Sequence, residues 1–260
     1  MLRVASVLEE ACAGKRKALT LFLTAGYPRA ESTPDLVPAL ADAGADVIEI
    51  GIPFSDPLAD GPVIQESSMV ALKNGVTLET ILRDVRTIRS ASTIPLVLMG
   101  YLNPILSYGA ERFFLDASEA GIDGLILPEL PLEESNRYRS SIDSHRLAQI
   151  LLVTPTTPVK RIAAIDEASS GFLYCVSTTG VTGQVGMSAR EEYLDRVKSI
   201  ARKNRVLVGF GISTPETARQ SAAHADGVIV GSALIRRIAS GENQKDTLAW
   251  VRSLKDALVS

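Results

Sequence analysis

The 260-residue sequence predicts an α/β protein of the (β/α)8-barrel (TIM-barrel) class. Short β-rich apolar runs recur along the chain, about eight in number, and amphipathic segments with helical spacing separate them. Parallel strands require such helical crossovers. About eight strands in about 250 residues fit a closed barrel better than an open sheet. A doubly wound sheet is the alternative.

The predicted strands follow one another at regular intervals. In order they read LTLFLTAG, DVIEIGI, IPLVLMGY, GLILPEL, AQILLV, FLYCVS, RVLVGFG and GVIVG. Ahead of the first, the segment MLRVASVLEEACAGKRKAL has apolar and charged positions at helical spacing, which predicts an extra N-terminal helix.

The crossover helices are predicted from segments such as TPDLVPALADAG, IQESSMVALKNG, LETILRDVRTIRS, SAREEYLDRVKSIAR and PETARQSAAH. Two starts carry the spacing of a capping box, Ser188 with Glu191 and Ser213 with Glu216, the second with Pro215 near the first turn. Because no linker or low-complexity stretch interrupts the pattern, residues 1–260 are expected to form one domain.

Composition excludes several classes of function. The formal net charge of -3 provides no basic field for nucleic acid or anionic lipid. No uninterrupted apolar run reaches the length of a signal or membrane segment, so the protein is expected in the cytoplasm. Cys12 and Cys175 lack metal-type spacing and are expected to be reduced.

Glu49 is the first candidate catalytic residue. Alternation along the second strand places Ile48, Ile50 and Ile52 on one face, which suits the helix layer, and turns Glu49 toward the barrel mouth. An unpaired carboxylate there loses hydration or stays protonated. Since no strand offers an inward basic partner, a general acid or base is favoured over a structural Glu neutralised by a buried Arg or by backbone donors.

Asp60 and Asp56 follow in the turn-rich segment PFSDPLADGP, residues 53–62. Taken alone, Asp60 is explained as a helix N-cap ahead of Gly61 and Pro62, and Asp56 as a turn or interface residue. Only the combination with Glu49 makes Asp60 a functional candidate.

A phosphate site is predicted from glycine-bearing loops after strands six, seven and eight, at residues 180–183, 209–211 and 231–232. Barrels of this kind commonly bind phosphate at the loops after strands seven and eight and at the start of a short helix, here near Ser232. The alternative is that these glycines merely turn strands into helices. The loop at 178–186 is also a candidate lid.

Two mechanisms are disfavoured by what the strands lack. A Schiff-base mechanism needs a lysine inside the barrel, yet every lysine falls outside the strand runs. A metal mechanism needs clustered His and carboxylates, whereas His145 and His224 both lie at helix ends. We therefore predict no metal and no cofactor in this chain, and acid–base chemistry by carboxylates.

The segment EIGIPFSDPLADGPVIQ, residues 49–65, closely resembles the signature of the tryptophan synthase α-subunit family. Further motifs agree in order across nearly the whole chain: TAGYP (24–28), MGYLNPI (99–105), PLEES (131–135), GVTG (180–183), GFGIS (209–213) and VGSA (230–233). The resemblance implies a lyase that reversibly cleaves indole-3-glycerol phosphate to indole and glyceraldehyde 3-phosphate. It also implies an α-β-β-α complex, in which indole passes to a β-subunit that holds pyridoxal phosphate.

The resemblance also implies roles for individual residues. Glu49 would move protons at the indole ring carbon and the glycerol hydroxyl, and Asp60 would hold the ring N–H. The indole pocket would be lined by Phe22 and Tyr174. The phosphate would be held by Gly183, Phe210, Gly211, Gly231 and Ser232. The partner would be contacted by Pro53, Asp56, Asn103 and Pro104.

One position departs from the family pattern, because Glu129 stands where an Asp is usual. We predict that its extra methylene affects coupling to the partner or the lid rather than the chemistry.

Two rival functions are weighed against the lyase. Another phosphate-barrel enzyme, such as an indole-glycerol-phosphate synthase or a phosphosugar epimerase, would need a strand-end lysine or a metal-ligand set. A non-enzymatic subunit would not need Glu49, Asp60 or the glycine loops.

Overall fold

The chain forms a closed parallel barrel of eight strands, as the sequence predicts. The computed structural model describes residues 1–14, 16–176, 187–209 and 211–259. Each strand pairs with the next along the chain, and the last pairs with the first. The strands are β1 Ala18–Thr24, β2 Val47–Gly51, β3 Leu96–Met99, β4 Gly124–Ile126, β5 Ala148–Val153, β6 Leu173–Val176, β7 Val206–Gly209 and β8 Gly227–Val230.

Twelve helices surround the barrel in the described part of the chain. They are α1 Arg3–Ala13, α2 Ser32–Asp42, α3 Pro62–Lys73, α4 Leu78–Ala91, α5 Leu102–Tyr108, α6 Ala110–Ala120, α7 Leu132–Ser144, α8 Val159–Ala168, α9 Met187–Ile200, α10 Pro215–Ala223, α11 Ser232–Ala239 and α12 Gln244–Asp256. The predicted helical segments are all present. None of the described helices has the length and apolarity needed to cross a membrane.

Both predicted capping boxes are wrong in detail. Helix α10 is capped by Thr214, whose hydroxyl accepts from the Thr217 N–H at 3.2 Å, while the Thr217 hydroxyl accepts from the Thr214 N–H at 3.0 Å. The capping box is thus formed by Thr214 and Thr217, one residue later than the predicted pair Ser213 and Glu216. Helix α9 begins at Met187, so Ser188 lies within its first turn rather than at its cap.

The two faces of β2 divide as alternation predicts. Ile48, Ile50 and Ile52 belong to the large apolar cluster between barrel and helices. Val47 belongs to the separate cluster inside the barrel, and Glu49 shares its face. Helix α1 contributes Val4 and Leu8 to that inner cluster. The predicted extra helix therefore closes the end of the barrel at which the strands begin, called here the lower end.

Aspartates at the lower end of the barrel join neighbouring strands. Three of them immediately precede β2, β4 and β8, and each accepts a hydrogen bond from a backbone N–H at the start of the preceding strand: Asp46 from Leu19 at 2.7 Å, Asp123 from Leu96 at 2.9 Å and Asp226 from Val206 at 2.9 Å. Each also has cationic partners: Lys255 and Arg16 for Asp46, Arg89 and Arg3 for Asp123, and Lys198 and Arg205 for Asp226.

Candidate active site

The carboxyl end of the barrel carries a pocket of about 320 Å³. Six of the residues predicted as site residues line it together: Phe22, Asp60, Tyr174, Gly211, Gly231 and Ser232. They come from the ends of β1, β6 and β8 and from the loops before α3, α10 and α11. Two further predicted residues, Gly183 and Phe210, lie outside the described residues.

Glu49 lies inside the barrel beside the pocket, where its side chain is fully buried. It is paired in register with Phe22, whose ring lines the pocket. Neither carboxyl oxygen has a hydrogen-bond partner among the residues that the structure describes. Burial raises the pKa of Glu49 to about 8, with no opposing contribution from a cation. Glu49 is therefore protonated at neutral pH, as an inward carboxyl without a partner should be.

Glycines make the room for the two aromatic rings of the pocket. A Cβ added at Gly51 would lie 2.5 Å from Phe22 Cζ, and one at Gly209 would lie 2.5 Å from the Tyr174 hydroxyl oxygen. Such approaches do not occur between real side chains. Gly209, predicted as part of the phosphate loop, thus also has a packing reason to lack a side chain.

Asp60 is not the cap of α3. That position is held by Gly61, without any side-chain hydrogen bond to the helix. Asp60 lines the pocket instead, and the Tyr101 hydroxyl is its hydrogen-bonding partner. Burial raises the pKa of Asp60 to about 6; the bond from Tyr101 opposes this rise, and the negative charge of Glu129 adds to it. Asp60 is thus largely ionised at pH 7, whereas Glu49 is not.

Tyr101 is a site residue that the sequence reasoning did not single out. It follows β3 by two residues, and its hydroxyl oxygen also accepts from the Ala59 N–H at 2.9 Å, so it supports the segment that carries Asp60. Its ring lies 5.1 Å from that of Phe54, between centroids. A polar residue at the carboxyl end of a barrel strand was the available signal, because such positions face the active-site end.

The phosphate-cradle candidates meet at the start of α11. Ser232 is the first residue of that helix, Gly231 precedes it, and Gly211 approaches from the loop after β7 with a φ of 76°. Ser213 lines the same wall, although the sequence reasoning assigned it no role there. The first backbone N–H groups of a helix have no intrahelical acceptor and therefore favour a bound anion.

The four predicted interface residues lie on two adjoining elements beside the pocket. Pro53 and Pro104 line a separate apolar cavity of about 240 Å³. Asp56 is exposed and accepts from the Ser55 hydroxyl at 2.5 Å, and the nearby Leu58 side chain is 95% exposed. Asn103 is exposed on α5. Asp56 and Asn103 are thus exposed next to Asp60, whereas Pro53 is buried and Pro104 half-buried beneath them.

Neither histidine lies in the pocket. His145 and His224 are the C-terminal caps of α7 and α10, and the His224 ring nitrogen lies 2.8 Å from an Asp195 carboxylate oxygen. Among the described residues, no group of three or more His, Cys, Asp or Glu side chains is placed to hold a metal ion.

The fold and the pocket together define a class of protein: a (β/α)8-barrel enzyme with two carboxyls of raised pKa beside an apolar cavity and a helix start suited to phosphate. The sequence model of the tryptophan synthase alpha chain family matches residues 8–258. The chain belongs to that family. It is a lyase that acts on indole-3-glycerol phosphate, as the resemblance implied, and as an alpha chain it has a beta subunit as its partner.

Relatives of known sequence and structure agree over nearly the full length. The tryptophan synthase alpha chain of Geobacter sulfurreducens is 46% identical over 262 residues, covering 99% of each chain. That of Thermoanaerobacter pseudethanolicus is 48% identical over 245 residues, covering 94% of this chain and 93% of the relative. The crystal structure of the alpha subunit from Legionella pneumophila has a TM-score of 0.92 at 39% identity, covering 99% and 98% of the two chains.

Proposed function

We propose that Glu49 and Asp60 together catalyse the reversible cleavage of indole-3-glycerol phosphate to indole and glyceraldehyde 3-phosphate. The observation that carries this proposal is the difference between the two carboxyls, with a pKa of about 8 for Glu49 and about 6 for Asp60. Two groups with pKa values on either side of 7 provide a proton donor and an anion in one site. No cofactor of the chain's own is needed.

Cleavage begins with the protonated Glu49. Its carboxyl donates a proton to the indole ring carbon that bears the glycerol chain, which places positive charge on the ring nitrogen. The Asp60 carboxylate accepts the hydrogen bond of the ring N–H and stabilises that charge. The Glu49 carboxylate then removes the proton of the adjacent glycerol hydroxyl. The carbon–carbon bond breaks, its electrons neutralise the ring, and an aldehyde forms.

The remaining pocket residues bind the two ends of the substrate. Phe22 and Tyr174 supply flat apolar surface for the indole ring. Gly211, Gly231 and Ser232 present backbone N–H groups to the phosphate, and by the family resemblance Gly183 and Phe210 join them. Holding both ends fixes the reacting carbon relative to Glu49.

The proposed assembly is an α-β-β-α complex, in which the β-subunit holds pyridoxal phosphate and receives indole. Pro53, Asp56, Asn103 and Pro104 contact that subunit in this proposal. Their place beside Asp60 supports a route by which partner binding alters the active site. We further propose that residues 1–260 act as one domain and that the complex works in the cytoplasm.

The decisive variant is Glu49→Gln in the isolated chain, with Glu66→Gln on the exposed side of α3 as the control. Turnover, measured as indole released from indole-glycerol phosphate, should fall by about 10²- to 10⁴-fold, the usual contribution of a general acid or base. Glycerol 3-phosphate should bind as before, because Glu49 does not contact the phosphate. Comparable turnover in Glu49→Gln would rule out the acid–base role.

The pH dependence gives a second readout of the same proposal. The rate constant kcat/KM for cleavage should rise through a pKa near 6 as Asp60 ionises and fall through a pKa near 8 as Glu49 loses its proton. Asp60→Asn should remove the acidic limb. Adding a cognate β-subunit should raise indole release by the wild-type chain, and an unchanged rate would contradict the proposed coupling.

A further inference from the structure

Arg236 lies on α11 and lines the same wall of the pocket as Gly211, Gly231 and Ser232. It follows Ser232 by four residues, so the two side chains share one face of the helix. Long side chains in helices lean back toward the N-terminus. Because Arg236 lines the pocket, we expect its guanidinium near the end of α11 where the phosphate is expected.

The two consecutive arginines of α11 have different surroundings. Arg237 lies 2.5 Å from a Glu242 carboxylate oxygen, and its guanidinium stacks 4.6 Å from the centre of the Trp250 ring. Arg236 is exposed and takes part in no salt bridge among the residues that the structure describes. Arg237 thus connects α11 to α12, whereas the charge of Arg236 at the pocket is not paired with any described carboxylate.

The described part of the phosphate site contains little positive charge apart from that of Arg236. Within the described chain, Arg236 is the only basic side chain that lines the pocket, and the acidic Asp60 lines it too. A phosphate monoester brings a charge of about -1.5 to -2 at pH 7. Backbone N–H groups supply only partial positive charge. A guanidinium forms charge-assisted bonds to phosphate that are about twice as strong as neutral ones.

We propose that Arg236 binds the phosphate group of the substrate, together with the backbone N–H groups at the start of α11. This inference rests on the proposed function, since it needs a phosphate at that position. It adds a side chain to a cradle that otherwise consists of loop and helix backbone. Arg236 contributes to binding and not to bond cleavage, because it lies on the helix whose first residues form the phosphate cradle.

The test compares Arg236→Gln with Arg252→Gln, which removes the same charge from an exposed position on α12. Arg236→Gln should raise the KM for indole-glycerol phosphate about 10-fold and leave kcat within about 3-fold. That pattern marks an interaction made equally in the ground state and the transition state. The Kd of glycerol 3-phosphate, measured by calorimetry, should weaken by a similar factor, whereas indole binding should not change. Arg236→Lys should retain most of the affinity because it keeps the charge.

The outcomes separate this inference from the function on which it rests. If the wild-type chain releases indole and binds glycerol 3-phosphate, while Arg236→Gln shows the same KM and Kd within 2-fold, Arg236 does not bind the phosphate. An equal loss in Arg252→Gln would also overturn the inference, because a general effect of net charge would then explain it. If the wild-type chain neither releases indole nor binds glycerol 3-phosphate, the proposed function itself fails.

Discussion

Carboxyl groups at the two ends of the barrel have opposite surroundings. At the lower end, Asp46, Asp123 and Asp226 each accept a backbone N–H and lie beside cations. At the upper end, where the strands end, neither oxygen of Glu49 has a hydrogen-bond partner among the described residues, and Asp60 has the Tyr101 hydroxyl but no described cation that lowers its pKa. Burial alone therefore does not distinguish the two proposed catalytic carboxyls from the lower-end aspartates. The distinction is whether the fold supplies donors for the charged form.

Asp123 and Glu49 show the contrast in their pKa values. Burial raises the pKa of both groups. At Asp123 the Leu96 N–H, Arg89 and Arg3 oppose the rise, whereas at Glu49 burial acts alone. At Asp123 the donors and cations offset part of the cost of burying the charge, although its pKa stays above the usual value. The arrangement at Glu49 costs stability and leaves a proton available near pH 7, which is what acid–base catalysis requires.

The largest effect on stability is expected from breaking a lower-end carboxyl. Asp123→Ala should lower the free energy of unfolding by about 3–5 kcal/mol, because it removes the acceptor of the Leu96 N–H and leaves the part-buried Arg89 without its carboxylate. Asp143→Ala is the matched control, since Asp143 pairs with Arg139 on the exposed face of α7. That change should cost less than about 0.5 kcal/mol. Urea unfolding measures both.

Equal losses in the two variants would contradict the stabilising role assigned to the lower-end carboxyls. A second readout separates stability from function. Asp123 lies at the end of the barrel opposite the pocket, so the folded fraction of Asp123→Ala should cleave indole-glycerol phosphate at nearly the wild-type rate. A large loss of kcat in the folded variant would show that the two ends are not independent.

A smaller effect, of opposite sign, is expected at the upper end. The pKa of Glu49 is about 8 in the folded chain and near 4.5 when exposed, so the folded state binds more protons between these values and its stability falls as pH rises. Glu49→Gln carries no ionisable group at this position and therefore does not lose this stability as pH rises. The variant should be more stable than the wild type by roughly 3 kcal/mol at pH 7, and the difference should vanish near pH 4.5.

Thermal or urea unfolding of Glu49→Gln at several pH values measures that difference. The control is Glu66→Gln, which should track the wild type at every pH because Glu66 is exposed. A stability gain that does not depend on pH would mean that Glu49 is not held protonated by its surroundings.

Sequence reasoning predicted the features that depend on local pattern. The eight strands follow from the recurring apolar runs. The inward face of Glu49 follows from alternation along β2, and its lack of a described cationic partner from the absence of inward basic residues in the strands. Asp60 could not be placed in the same way, because an Asp before Gly-Pro is also a good helix cap and only the folded chain brings Tyr101 to it. The lower-end aspartates escaped notice for a similar reason. Their partners, such as Leu96 for Asp123, are 27 residues away in the chain.

Glu129 is a carboxyl at the upper end that does accept a backbone hydrogen bond. A substitution there tests the comparison between the two ends, with the smallest expected effect on a measured rate. Glu129 accepts from the Leu102 N–H at the start of α5, the helix that carries Asn103 and Pro104. Its charge also raises the pKa of Asp60. Glu129→Asp, which shortens the side chain by one methylene, should alter activation by the β-subunit by a few-fold, because α5 would shift relative to the loop of Asp56. Turnover of the isolated chain should stay within about 2-fold.

The measurement is indole release by wild type and Glu129→Asp, each alone and with the β-subunit. Glu119→Asp, which shortens an exposed carboxyl on the outer helix α6 by the same methylene, is the control and should leave both rates unchanged. A change confined to the isolated chain, with β-subunit activation unaffected, would contradict the assignment of Glu129 to coupling. It would mean that the charge of Glu129 matters mainly through the pKa of Asp60, and that even a paired carboxyl at this end of the barrel serves the chemistry.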